Sequence, residues 1–338
     1  MNWLRLIRWK NLLIVFATQF LVWYCLIYGS QVMFYKSLYE AGQPGHISMQ
    51  GLMSLPYFIT FIFVSLSTLC ITAAGYIIND YFDIKIDIIN RPDKVVLDKI
   101  IPLRTAIIAH VILNVAGIVL ALAVASRFHH YEWLALQVVC INLLWFYSTH
   151  FKKQYITGNV VVALLTALSI VVVMLYEPLL HPYLDRPGVL RYNEGTAYIN
   201  PIRMCFGYCY FAFMLTWMRE IVKDMEDYQG DSEEGCVTMP IRKGLQFSTR
   251  FVQVLGIVTT ISLGFIAYYF FTAAYYVLSI YTVALTLLPI GIWCLYVARK
   301  TTRLHYHAAS RWLKIIMISG ICSLVIYHFT LNSLVCKS

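Results

Sequence analysis

Asn79, Asp83 and Asp87 recur at i, i+4 and i+8 in the stretch NDYFDIKIDIINRPDK, and Glu220, Asp224, Asp227 and Asp231 at i, i+4, i+7 and i+11 in REIVKDMEDYQGD. At about 100° per residue, each set falls within roughly an 80° arc of a helix, so each forms a stripe of oxygen ligands. Twelve of the seventeen acidic residues lie between Asn79 and Asp98 or between Glu220 and Glu234, which leaves the rest of the chain almost without negative charge. Mg²⁺ is a hard cation, held by one or two carboxylates together with substrate phosphates. Two facing stripes therefore suit metal and diphosphate together, with Asp83 and Asp87 on one side and Asp227 and Asp231 on the other. Asn79 adds a neutral oxygen. Arg91 and Lys94 follow the first stripe, and Lys152 and Lys153 on a separate loop supply further cations for a leaving diphosphate. Asp80, Asp93 and Asp98 lie off the stripe and read as solvated charge.

The elements that must position these groups are membrane spans. Apolar residues make up 60% of the 338 and charged residues 13%, against about 25% charged in a soluble domain. Apolar runs long enough to cross a bilayer, about 20 residues each, recur near 11–35, 54–78, 104–126, 132–149, 156–176, 201–218, 247–271, 274–297 and 312–334. This predicts an all-α polytopic protein of nine spans, a single membrane domain over 1–338, with a tight turn at Thr272 to Ala274 separating two of them. With a cytoplasmic N-terminus, 20 of the 26 Lys and Arg residues fall on the inner side, as the positive-inside rule requires. Both stripes then lie on the cytoplasmic face of what we expect to be the plasma membrane.

The net charge of +9 is spread over five loops, which fits topology and anionic lipid and argues against nucleic acid. The nine cysteines include no CxxC pair and read as packing residues, Cys205 and Cys209 among them. The run WLRLIRWK resembles a membrane-surface anchor. Glu132 and Glu177 flank spans and are expected at the interface. His305 and His307 are expected to meet lipid or solvent, and the loop from Glu177 to Asn200, with three prolines, to connect or cap the outer side.

The pattern N-x3-D-x3-D at Asn79, Asp83 and Asp87, with DYFD and INRP around it, resembles the first motif of the UbiA superfamily of intramembrane prenyltransferases. REIVKDMEDYQGD resembles the second, whose D-x3-D falls on Asp227 and Asp231. FYSTHFKKQYITGN is similar to the tyrosine and lysine element between them, giving Tyr147 and Lys152 or Lys153. After INRP the chain reads DKVVLDK where the family often continues with a basic residue and PIPSG, so that loop departs from the pattern. The resemblance covers nearly the whole chain. It implies a bundle of nine helices around a central cavity, and Mg²⁺-dependent transfer of an isoprenyl group from a polyprenyl diphosphate to a lipid-soluble acceptor. Tyr147 would contact the diphosphate or the allylic carbon.

Ionising an allylic diphosphate leaves a carbocation that water quenches, so a greasy, aromatic-rich interior suits this chemistry. The overall look is closest to the branch of digeranylgeranylglyceryl phosphate synthases, which alkylate a glycerol hydroxyl; an aromatic acceptor of quinone biosynthesis is the alternative. A hydroxyl acceptor must lose a proton, and a spare cytoplasmic carboxylate such as Asp224 or Glu220 could assist, with nothing in the sequence singling one out. A CDP-alcohol phosphotransferase would need an Asp-Gly and Ala-Arg pattern that this chain lacks. A transporter would carry its ionisable residues near mid-bilayer, whereas these lie at span ends. No obligate protein partner is indicated.

Overall fold

A computed structural model describes residues 2–30, 55–90, 96–177, 201–299 and 302–335. Among these the chain is helical, with a lone bridge between Leu97 and Ile101 outside the helices. Hydrocarbon offers no partner for a backbone N–H or C=O, so a spanning segment must satisfy its own. In order, the helices are α1 (Asn2–Leu6), α2 (Trp9–Leu21), α3 (Leu55–Phe82), α4 (Ile84–Asn90), α5 (Leu103–Phe128), α6 (Leu134–Thr149) and α7 (Thr157–Leu175). There follow α8 (Pro201–Glu226), α9 (Tyr228–Glu233), α10 (Met239–Lys243), α11 (Leu245–Thr272), α12 (Tyr276–Thr282), α13 (Leu288–Val297) and α14 (Arg303–Val335).

Seven helices among the described residues are long and apolar enough to cross a membrane: Trp9–Tyr28, Tyr57–Phe82, Leu103–Phe128, Thr157–Leu175, Leu245–Thr272, Tyr276–Val297 and Arg303–Leu331. The remaining two expected spans are helical but of a different character. α6 has only 16 residues. α8 has 26 and carries Arg203, Arg219, Glu220, Lys223, Asp224 and Glu226. It packs against α7, α11 and α14, so protein rather than lipid surrounds much of it. The expected turn is present: Ala274 adopts φ 64°, and Tyr275 N–H donates to Phe270 O at 2.8 Å, ending α11.

α3 and α5 make the most extensive helix pair, through small residues that let the backbones approach. Gly117 on α5 sits where an added Cβ would lie 2.7 Å from Ile71 Cγ1 and 3.2 Å from Ser67 O. Ser67 Oγ donates to Gly117 O at 2.7 Å. A second device sits between α12 and α13, joined by a π turn at Val283–Leu287. Pro289 has no N–H for the carbonyl four residues earlier, and Ser319 Oγ donates to that freed Leu285 O at 3.1 Å. Two large apolar clusters fill the bundle. One joins Trp23, Phe61, Met174, Cys205, Cys209, Tyr275 and Tyr327. The other, around Met218, Met225, Trp293, Tyr306 and Leu313, underlies the second stripe.

Several peripheral expectations are revised. Glu177 does not face outward: it is 2% exposed and accepts a hydrogen bond from Trp23 Nε1 at 2.6 Å, as a buried carboxylate needs a donor. Glu132 is exposed, as expected. Cys205 and Cys209 are buried free thiols. The loop after Glu177 lies outside the described residues. Replacing Gly117 by Val should overpack the α3–α5 contact and destabilise the protein by about 1–3 kcal/mol. Thermal unfolding in detergent measures this, and an unchanged midpoint contradicts the close approach.

Candidate active site at the ends of two long helices

α3 has 28 residues, about 42 Å at 1.5 Å per residue, against a hydrocarbon core of about 30 Å. Its last turns therefore reach past the apolar layer, and they carry Asn79 and Asp80. The helix breaks at Asp83 and resumes as α4, yet its hydrogen-bond register survives. Asp83 N–H donates to Asn79 O at 3.0 Å and Asp87 N–H to Asp83 O at 2.8 Å. α8 does the same at Asp227: Asp227 N–H donates to Lys223 O at 2.8 Å, and Asp231 N–H to Asp227 O at 3.2 Å. Each stripe is thus a long helix, a break at an aspartate, and a short helix that carries the next ligand candidate. The two short helices, α4 and α9, pack against each other.

A third element ties them together. The 3₁₀ turn Phe151–Lys153 places Lys152 Nζ on Asp83 Oδ2, while Lys153 O accepts from Val237 N–H at 2.8 Å. Val237 follows the second stripe, and Cys236 N–H donates to Asp231 O at 2.9 Å. Gly158 lets the turn sit this close: a Cβ there would lie 2.7 Å from Phe151 O and 3.0 Å from Lys152 Cα. Burial raises the Cys236 thiol to about 11, and Asp231, Lys153, Lys152 and Asp83 all act on it, which marks it as the junction.

Asp83 is 3% exposed and also accepts from Asn79 Nδ2 at 2.6 Å. Burial works against the Lys152 ammonium, but Asp83, Tyr147 and Asp87 outweigh it and hold the group above its ordinary range. Burial and then Asp83 push the half-buried Asp87 up, with Lys152 opposing. Asp231 is buried and Asp227 half-buried. Asp224 Oδ2 accepts from Asn159 Nδ2 at 2.8 Å. The Tyr147 hydroxyl lies within range of the charges on Lys152, Glu220, Asp83 and Asp224. The Lys153 side chain is exposed, so its clearest part is its backbone. Arg91 and Lys94 lie outside the described residues.

The donor set suits a hard cation. Asn79 Oδ1 is a buried oxygen without a hydrogen-bond partner, beside an all-carboxylate stripe. Among the described residues no group of three or more His, Cys, Asp or Glu side chains could hold an ion unaided.

Four residues were assigned differently from the sequence. Asp80 is not solvated loop charge: its Oδ1 pairs with Arg8 Nη2 at 2.6 Å. Arg8, read as part of an anchor, turns inward from a left-handed residue (φ 51°) and lies 5.0 Å from the Tyr76 ring centre. His307 does not face lipid or solvent alone, since its Nδ1 meets Glu226 Oε1 at 2.9 Å. His305 is buried, 2.9 Å from Tyr296 O. No local spacing announces the Arg8–Asp80 and His307–Glu226 pairs, which join residues 72 and 81 apart, whereas His305 meets a carbonyl nine residues back on the preceding helix.

Comparison with known proteins matches residues 47–328 to the model of the UbiA prenyltransferase family. The digeranylgeranylglyceryl phosphate synthase of Methanothermobacter thermautotrophicus is 30% identical over 60% of this chain, and the match spans 62% of that relative's length. The synthase of that name from Saccharolobus solfataricus is 31% identical, over 76% of this chain and 80% of its own. The structure of a UbiA homologue from Archaeoglobus fulgidus bound to DMAPP and Mg²⁺ superposes with a TM-score of 0.52 at 17% identity, covering 96% of this chain and 99% of that one. It supports the fold.

The Lys152–Asp83 contact is testable without substrate. In metal-free detergent solution, Lys152→Met and Asp83→Asn should couple by about 1 kcal/mol or more in a double-mutant cycle. Strictly additive losses of stability contradict the pairing.

Proposed function

The chain belongs to the UbiA prenyltransferase family, and we propose that it transfers a polyprenyl group from its diphosphate to the hydroxyl of a lipid-soluble glyceryl phosphate. The observation that carries this reading is the convergence of two broken carboxylate stripes on one lysine turn, at one end of an apolar bundle. Asp83 and Asp87 on one side and Asp227 and Asp231 on the other would hold Mg²⁺, with Asn79 as a neutral ligand. When bound, the metal neutralises the charge that develops on the departing diphosphate. The chain's own groups do the rest. Lys152, and Arg91 and Lys94 as proposed from sequence, bind phosphate oxygens. Tyr147 faces the same charges and contacts the diphosphate or the allylic carbon.

In the reaction the allylic C–O bond breaks and its electron pair leaves with the diphosphate. The acceptor oxygen bonds to the allylic carbon, and its proton passes to a base. Asp224, oriented by Asn159, is the proposed base, and the surrounding apolar helices exclude the water that would intercept the cation. The names carried by the two synthases support the glycerol acceptor. The distribution of Lys and Arg supports a cytoplasmic N-terminus and a cytoplasmic site.

Purified protein with Mg²⁺, offered a panel of prenyl diphosphates and acceptors, should yield an ether-linked glyceryl phosphate and free diphosphate, identified by mass. Asp83→Ala and Asp227→Ala should each lower transfer by about a hundredfold or more while leaving the protein in the membrane. Full activity in either variant refutes the metal role. Metal-independent solute flux with no diphosphate release refutes the transferase reading, and transfer to an aromatic ring alone refutes the glycerol acceptor.

A further inference from the structure

Behind the carboxylates lies a group of cations that the donor site does not use. Arg219 and Lys223 on α8 share one carboxylate: Arg219 Nη1 is 3.0 Å from Glu220 Oε1 and Lys223 Nζ is 2.7 Å from Glu220 Oε2. Lys314 on α14, which packs against α8, donates to the neutral Asn11 Oδ1 at 2.9 Å. The charges acting on Lys314 are those of Arg219, Lys10 and Lys223, all positive. Arg219 Nε is buried without a hydrogen-bond partner. One turn deeper on α8, the buried Thr216 Oγ1 also lacks one.

Arg219, Lys223 and Lys314 together with Glu220 sum to +2 among these four groups, before Lys10, Arg8 or Asp224 is counted. Arg219 and Lys223 are about one-quarter exposed and Lys314 is half-buried, so their mutual repulsion is only partly screened by water and favours an anion that neutralises it. A phosphomonoester carries about −1.5 to −2 at neutral pH and three acceptor oxygens, which matches both the surplus and the unused donors. A carboxylate ligand would cancel half of it, and a neutral hydroxyl none. The group adjoins the reaction centre, since Glu220 and Lys223 both act on Asp224 and Glu220 acts on Tyr147.

We propose that Arg219, Lys223 and Lys314 form a second anion subsite, separate from the carboxylate-lined donor site, that takes the phosphomonoester of the acceptor. The assignment of that phosphate to an acceptor rests on the transferase reading above. The subsite fixes the acceptor by its phosphate, so the hydroxyl to be alkylated is presented beside Asp224. It thereby discriminates against acceptors that lack the phosphate.

The test uses full-length protein in neutral detergent with EDTA, so that metal-dependent donor binding plays no part. Thermal unfolding is titrated with a long-chain monoalkylglycerol phosphate, with the corresponding alkylglycerol and with phosphatidylglycerol. The phosphate should stabilise the protein and the alkylglycerol should not. Lys314→Met should weaken the phosphate's binding about tenfold, the scale of one charge-assisted hydrogen bond, and Lys314→Arg should retain it. Equal stabilisation by the alkylglycerol, or unchanged binding by Lys314→Met, overturns the subsite. Equal, Lys314-dependent stabilisation by phosphatidylglycerol reassigns it to bulk lipid headgroups and overturns the acceptor role. Phosphate binding through Lys314 without prenyl transfer to any acceptor upholds the subsite and sinks the transferase reading. Transfer that ignores both the acceptor phosphate and Lys314→Met does the reverse.

Discussion

A buried carboxylate must be paired, and in this protein Asp83 meets that constraint with a lysine from a different helix connection. Removing one partner from such a pair leaves an uncompensated charge, typically at a cost of about 3–5 kcal/mol. The Lys152 turn therefore has little freedom to leave Asp83. Because the same turn is bonded through Lys153 O to the segment after the second stripe, one ion pair fixes the first stripe, the lysine element and the second stripe relative to one another. The packing of α4 on α9 and the absence of a side chain at Gly158 are conditions for that arrangement.

The two stripes are built alike, and the likeness has a physical source. A helix longer than the bilayer core carries polar residues outside it at no cost to the span. Breaking it at an aspartate leaves that residue and the following short helix at the boundary between protein interior and water. There a carboxylate is partly desolvated, which strengthens the attraction between its charged form and a cation. On the first stripe the paired ammonium and the carboxylates coexist before any substrate is bound. On the proposed reading, an arriving diphosphate would bring further negative charge for Lys152 and oxygen ligands for a metal.

Much of this was legible from spacing. The i, i+4 recurrence placed Asn79, Asp83 and Asp87 on one face, and the preserved hydrogen-bond register across Asp83 shows why the reading survives a helix break. The Thr272–Ala274 turn was legible from length alone. The count of nine spans was less secure, because α6 has only 16 residues and α8 carries six charged residues, so neither matches a long uncharged apolar helix. The roles of Arg8, Asn159, Glu177 and His307 were not legible at all. Each depends on a partner between 65 and 154 residues away, and neither composition nor periodicity encodes which charges a bundle will bring together.

The central claim is that both stripes serve one metal–diphosphate site. Its most direct measurement is anomalous diffraction at the manganese edge from crystals of the full-length protein grown with Mn²⁺ and an unreactive allylic thiodiphosphate. The account predicts manganese bound between the stripes, ligated by phosphate oxygens and by carboxylates from both Asp83 or Asp87 and Asp227 or Asp231. Manganese held by one stripe alone, or diphosphate seated away from both, would contradict it.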